Sequence, residues 1–129
     1  MHQRDFDPEL LRDRVRLIED TGVDDIWVVE DAGFGGGVAT AATVLSHTST
    51  IGVGIGIMPS LARNAMYAAM ELAALCRLYP GRLTAGFGHG MQDWMADLGA
   101  LPRSPLQALD EVMTGVRRLL AGESVTVAG

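Results

Sequence analysis

Residues 51–59 read IGVGIGIMP, and this run limits the fold more than any other part of the chain. At the two-residue period of a β-strand, Ile51, Val53, Ile55 and Ile57 share one face, while Gly52, Gly54 and Gly56 share the other. Glycine in a strand gives up side-chain packing and costs backbone entropy, so a glycine face implies that something approaches the backbone closely. A ligand or another piece of chain would satisfy that requirement.

The surrounding sequence supplies the partners of such a strand. Residues 24–30 (DDIWVVE) and 82–88 (RLTAGFG) are short apolar runs of strand type, and residues 31–37 (DAGFGGG) form a loop. Helical patterns fill the intervals. Asp7 followed by Pro8 starts a helix carrying Leu11, Val15 and Ile18 at helical spacing, with Arg12, Arg14 and Arg16 on its solvated face. Residues 38–47 form a small-residue helix that ends at His47, and residues 65–78 form a longer one stopped by Pro80 and Gly81. Ser104 and Pro105 open a last helix running to about Ala121, preceded by a loop from His89 to Arg103. The closing ESVTVAG is expected to form a hairpin arm. Strands alternating with helices predict an α/β protein with a parallel sheet. A helix at the start and an unpaired strand at the end suggest a partial domain.

With 129 residues and 48% hydrophobic composition, the chain suits one folded domain. A net charge of −6 with no basic stripe argues against nucleic acid as a partner. The absence of a signal peptide or a bilayer-length apolar run suggests a cytoplasmic protein outside the membrane. The single cysteine, Cys76, excludes a Cys-based zinc site, and its Ala and Leu neighbours make it an expected core residue.

Candidate site residues gather at the predicted strand ends, where β/α proteins place their chemistry. Gly86 and Gly88 in AGFGHGM fit part of a dinucleotide fingerprint, but Met91 occupies the place of its last glycine. The FGGG run at 34–37 is either an anion cradle or a flexible loop. His89, between two glycines, is a candidate for catalysis. Glu30 and Asp31 offer acid or base groups, or a ring-nitrogen partner, or else serve as a helix-capping pair. Arg63 either contacts substrate or pairs with one of those acids, and Trp94 is a lid or a loop anchor.

Three stretches, GVDDIWVVED, IGVGIGIMPSLARNAMYAAMELAALCRLYPGRLTAGFGHG and SPLQALDEVMTGVRRLLAGESVT, resemble the bacterial luciferase-like family of flavin- or deazaflavin-dependent oxidoreductases. The resemblance implies an incomplete TIM (β/α)8 barrel with strands two to four and their helices in a single partial domain at 1–129. It implies FMN or the deazaflavin coenzyme F420 as cofactor. Its ring would be bordered by Gly54, Gly56, Ile57, Gly88, His89 and Gly90, with a cis peptide at Gly56–Ile57. The reaction implied is hydride transfer or insertion of one oxygen atom on a small-molecule substrate, for which the loop positions make Arg63 and Trp94 the candidate contacts. Ala32 stands where many members carry a histidine, and Ala65 where a proline often follows Arg-Asn. A partial barrel leaves open strand edges, so the resemblance also implies completion by another barrel half or self-association. The alternative reading is a half-barrel assembly module or an inactive remnant that self-associates.

Overall fold

The computed structural model describes residues 7–126. After a 3-10 turn at Pro8–Leu10, the elements run α1 (Leu11–Asp20), β1 (Asp25–Val28), α2 (Gly37–His47), β2 (Gly52–Pro59), α3 (Ala65–Leu78), β3 (Leu83–Gly88), α4 (Gln92–Asp97) and α5 (Pro105–Leu120). The strands form one parallel sheet in the order β1-β2-β3. Among the described residues, no helix is long and apolar enough to cross a membrane.

Local chemistry accounts for the boundaries. The Asp7 carboxylate accepts the Glu9 N–H at 2.9 Å, with Pro8 at the first position of the turn. Asn64 caps α3 by accepting the Met66 N–H at 2.8 Å. Ser104 occupies the N-cap position of α5 but makes no side-chain cap bond. The expected loop from His89 to Arg103 contains the short helix α4, which buries Met95. Residues 123–126 form no strand, and the remainder of the expected hairpin arm lies outside the described residues.

The helices cover one face of the sheet. Val28, Val53, Ile55 and Met58 meet Ala41, Val44 and Leu45 of α2, Ala68, Leu72 and Leu75 of α3 and Val116 of α5 in one buried cluster. Leu11 and Val15 attach α1 to this cluster, whereas Ile18, expected on the same stripe, is exposed. Cys76 is also exposed, contrary to the expected core placement. It lines an apolar groove of about 250 Å³ between α3, β3 and α5, which no further element among the described residues covers.

The opposite face answers the question set by the glycines. Trp27 is the register partner of Gly54, and its indole lies where a Cβ on Gly54 would have to be. A Cβ on Gly56 would come within 3.0 Å of the same ring. Chain, in the form of a tryptophan from the neighbouring strand, approaches this backbone. The device repeats one strand further on, where a Cβ on Gly88 would lie 2.8 Å from Ile57 Cδ1.

Ile57 reaches that place because strict alternation fails. The pairing shifts between Ile55 and Met58, so that Gly56 and Ile57 together oppose Gly86 in a bulge, and the Gly56–Ile57 peptide is cis as the family resemblance implies. Ile57 therefore leaves the face it was expected to share with Ile51, Val53 and Ile55, and Met58 enters the core in its stead.

Two charged side chains hold the N-terminal end of the sheet. The Glu19 carboxylate accepts N–H bonds from Ser49 and Thr50 at 2.9 and 2.8 Å and the Thr50 hydroxyl at 3.0 Å, tying α1 to the segment that enters β2. Arg82 donates from Nε to the Ile51 carbonyl at 2.9 Å and from Nη1 to the Thr48 carbonyl at 3.1 Å. Its Nη2 donates to the Thr48 hydroxyl at 2.6 Å, and its guanidinium lies 5.9 Å from the centre of the Tyr79 ring. The YPGR turn thus closes the end of α2 and the start of β2 with one side chain.

The N–H of Thr50, foremost among these donors, holds the Glu19 pKa at about 2, below the ordinary 4.5. A depressed carboxylate pKa contributes stability that is complete above 4.5 and is lost as the pH falls toward 2. Urea unfolding of Glu19→Gln should therefore show a lower midpoint than the parent at pH 7, with the gap closing as the pH approaches 2. Gly54→Ala should cost about 1–3 kcal/mol by overpacking against Trp27. A double-mutant cycle with Trp27→Val should recover most of that loss.

Candidate active site

The C-terminal ends of the three strands converge on a cleft of about 350 Å³ lined by Glu30, Asp31, Gly56, Ile57, Pro59, Gly88, His89, Gly90, Met91 and Trp94. That volume falls in the range of small-molecule pockets. Eight of the ten residues singled out from the sequence are brought together here. Gly54 lies outside the cleft beneath Trp27, and Arg63 stands behind Glu30. Pro59 and Met91 are additions from the structure. Both lie within one residue of a strand end or a candidate glycine, which was the signal available to find them.

The floor is backbone. Gly56, at the bulge, and Gly88, under Ile57, leave a surface carrying one aliphatic side chain and no charge. Gly90 turns the chain out of β3 with φ of +76°, a conformation that favours glycine, and a Cβ there would crowd Met95 and Pro59 at 3.2 Å. The loop is thereby pressed against the end of β2, where the Ser60 N–H donates to the Gly88 carbonyl at 2.8 Å.

His89 is exposed, with Nδ1 lying 2.7 Å from the Gly90 carbonyl. A carbonyl only accepts, so Nδ1 carries the proton of this bond, and in the neutral ring Nε2 is the basic nitrogen. Asp31 and Trp94 stand half-buried on the rim.

Glu30 is fully engaged. Arg63 donates to it in a two-pronged pair, Nη1 to Oε1 at 2.7 Å and Nη2 to Oε2 at 3.1 Å, and the Gly37 N–H at the start of α2 donates to Oε2 at 2.8 Å. Glu71 Oε2 sits 3.3 Å from Arg63 Nε and adds an ionic contact from α3. The Glu30 hydrogen bonds raise the proton affinity of Arg63 above its usual value, against the opposing effect of burial. Of the alternatives open in the sequence, Arg63 pairs with Glu30, and Glu30 anchors the N-terminus of α2. Gly37 is required for that approach, because a Cβ on it would lie 2.9 Å from the carboxylate oxygen. This network joins β1, α2, the loop after β2 and α3 behind the cleft.

A parallel sheet with helices packed on one face, and a glycine-floored cleft at the C-terminal ends of its strands, defines part of a β/α barrel of the kind that binds a small molecule at its mouth. The profile of the luciferase-like monooxygenase family matches residues 1–129, and the chain belongs to that family. It is 29% identical over 114 residues to a 5,10-methylenetetrahydromethanopterin reductase of Methanolobus tindarius, an alignment covering 88% of this chain and 35% of the relative. Its structure superposes with a TM-score of 0.81 on the coenzyme F420-dependent tetrahydromethanopterin reductase of Methanopyrus kandleri, at 23% identity over 98% of this chain and 40% of that one. With the oxygenating constituent of 3,6-diketocamphane monooxygenase of Pseudomonas putida, a type II Baeyer-Villiger monooxygenase in complex with FMN, the TM-score is 0.84 at 14% identity, over 94% of this chain and 36% of that one. The chain thus spans between a third and two fifths of the length of these proteins.

Replacing Arg63 leaves Glu30 half-compensated in a partly buried setting, where charge-assisted bonds contribute roughly 1.5–3 kcal/mol each. Arg63→Met should lower thermal stability by about 2–3 kcal/mol on this basis. Arg63→Lys should recover less than half of the loss, because an ammonium cannot reproduce the fork, and differential scanning calorimetry would read both.

Proposed function

We propose that this chain forms the ring-facing wall of a flavin- or deazaflavin-dependent oxidoreductase site, with FMN or coenzyme F420 as cofactor and a small organic molecule as substrate. The observation that carries this reading is the uncharged backbone floor at Gly56, Ile57 and Gly88, set at the strand ends within a cleft large enough for a planar ring. The reductase and monooxygenase relatives support it. A bound cofactor of this type supplies two-electron transfer to or from the substrate.

The chain's own residues then have distinct tasks. Ile57 and the backbone of Gly56 back the ring, and the loop Gly88, His89, Gly90 borders it. Gly54 serves indirectly by seating Trp27, which fixes the strand next to the floor. Trp94 and Met91 close the side of the cleft and exclude water. His89, fixed through Nδ1, presents Nε2 as the group that takes or gives a proton, with Asp31 as the second acid-base group on the rim. Glu30 and Arg63 act as positioning residues behind them. A cytoplasmic location fits this chemistry.

A second reading, an assembly module that completes its sheet with another chain, is favoured by the open edge of β3 and the apolar groove beside it.

Titration with FMN and with F420, followed by cofactor fluorescence, should give saturable binding to one of them. Gly88→Val should weaken that binding about tenfold or more by driving Ile57 into the cleft, with circular dichroism retained. Absence of saturable binding to either cofactor overturns the cofactor reading and leaves the assembly module.

A further inference from the structure

We propose that residues 31–36 form a lid over the cleft, and that Phe34, carried near its tip, is the specificity-determining side chain that closes on the small molecule bound there. The inference rests on the reading of the cleft as a small-molecule site and is independent of which cofactor fills it.

The segment reads DAGFGG. Glycine is required where φ is positive or where a neighbour leaves no room for a Cβ. Gly33, with φ of +83°, meets the first condition, and Gly37, just after the segment and against the Glu30 carboxylate, meets the second. Gly35 and Gly36 meet neither. Both lie outside the positive-φ region. A Cβ on Gly35 would touch Thr40 Oγ1 at 3.5 Å, an ordinary contact, and one on Gly36 would meet nothing within 4 Å. Gly36 is also the N-cap of α2, at φ −68° and ψ 128°, where a serine would fit the backbone and supply the side-chain cap bond that is missing. Two adjacent glycines that this conformation does not require, and that ease the chain out of it, have the composition of a hinge.

Both feet of the segment are fixed at one point. Asp31 follows Glu30 in the chain, and the Gly37 N–H donates to Glu30 Oε2 at 2.8 Å, with the Arg63 fork holding the same carboxylate. Between these feet, residues 33–36 stand exposed. The Phe34 N–H donates to the Asp31 carbonyl at 3.1 Å, so the tip is a tight turn that can move as a unit. Its path leads over the cleft, because Asp31 and Glu30 both line that cleft. Phe34 lies three residues beyond Asp31, a reach of about 10 Å in extended chain. That is enough to cross the mouth of a cleft of about 350 Å³. Phe34 is 49% exposed in the observed position, and the rim it would meet carries the apolar side chains of Ile57, Met91 and Trp94. Closure removes apolar surface from water on both sides and excludes water from the bound molecule. A site closed in this way selects organic molecules that turn a flat or apolar face to the mouth.

Labelling with 4-fluorophenylalanine places a fluorine on each of the three phenylalanines, and Phe34→Leu assigns the resonance of interest. In the free protein, fluorine relaxation dispersion should show the Phe34 resonance in microsecond-to-millisecond exchange. The double variant Gly35→Ala/Gly36→Ser fits the observed conformation, so it should melt no lower than the parent and should abolish that exchange. Stopped-flow fluorescence then reads the closed state. FMN or F420, whichever binds, should dissociate about fivefold or more faster from Phe34→Ala and from the double variant than from the parent. A Phe34 resonance without exchange, or exchange indifferent to the double variant, would overturn the lid. Saturable cofactor binding with a dissociation rate unmoved by both variants would overturn it too, while leaving the cofactor reading intact. Exchange that the double variant abolishes, in a protein that binds neither cofactor, supports the lid and overturns the cofactor reading instead.

Discussion

Large side chains seated on the glycines of the neighbouring strand set the geometry of this structure. Trp27 occupies the space above Gly54 and Gly56, and Ile57 occupies the space above Gly88. Each overlap holds two strands at a fixed lateral position, because a Cβ on the lower strand and the ring or branch on the upper one exclude each other. The glycines leave the open face of the sheet largely as backbone, with the Asp25 carboxylate over Gly52, the Trp27 indole over Gly54 and the Ile57 side chain over Gly88 lying upon it. The helix face is free to be filled with branched residues, and Val53 and Ile55 are buried there. One strand thereby has a packed side and a bare side, and the cleft lies at the upper end of the bare one.

Polar groups fix the two ends of the layer differently. At the N-terminal end, Glu19 and Arg82 collect backbone donors and acceptors from the turn between α2 and β2. Their partners are main-chain groups, and their effect is to close helix and strand ends that would otherwise leave polar atoms unpaired. At the C-terminal end, Glu30 collects Arg63 and the N–H of Gly37 behind the cleft. His89 stands apart from that network, with its Nδ1 held by the Gly90 carbonyl at the mouth of the cleft. The division between a braced bottom and a top that carries the cleft follows from where the strands end, and it matches the organisation of β/α barrels.

Much of this was legible in the sequence because it depends on local periodicity. The span of α3 follows from its apolar pattern between Asn64 and Pro80, and the alternation in 51–55 places Val53 and Ile55 correctly. The predicted strand ends drew attention to Glu30, Asp31, His89 and Trp94, and the family resemblance to Gly56, Ile57, Gly88 and Gly90, all of which line the cleft. Other features were hidden because they depend on register. Trp27 reads as one more apolar strand residue until β1 is aligned with β2, and only that pairing sets it over Gly54. The bulge reverses Ile57 and Met58 relative to simple alternation, and the residue-by-residue pattern contains no mark of an inserted position. Arg82 and Glu19 carry no local mark of their roles, because both reach across more than thirty residues of sequence to their partners.

The sequence by itself determined the class of fold, the parallel order of its strands and the family, because periodicity, turn residues and motif spacing are properties of neighbouring positions. It also pointed to close approach at the face of residues 52, 54 and 56, since glycine in a strand gives up side-chain packing. Tertiary structure alone decided what makes that approach. It chose the indole of Trp27 for Gly54 and Gly56, gave Glu30 to Arg63 and Gly37, and left Cys76 and the outer side of α3 uncovered. The physical reason is that close packing and charge pairing are settled between residues distant in the chain. Their partners exist only once the strands have taken their register.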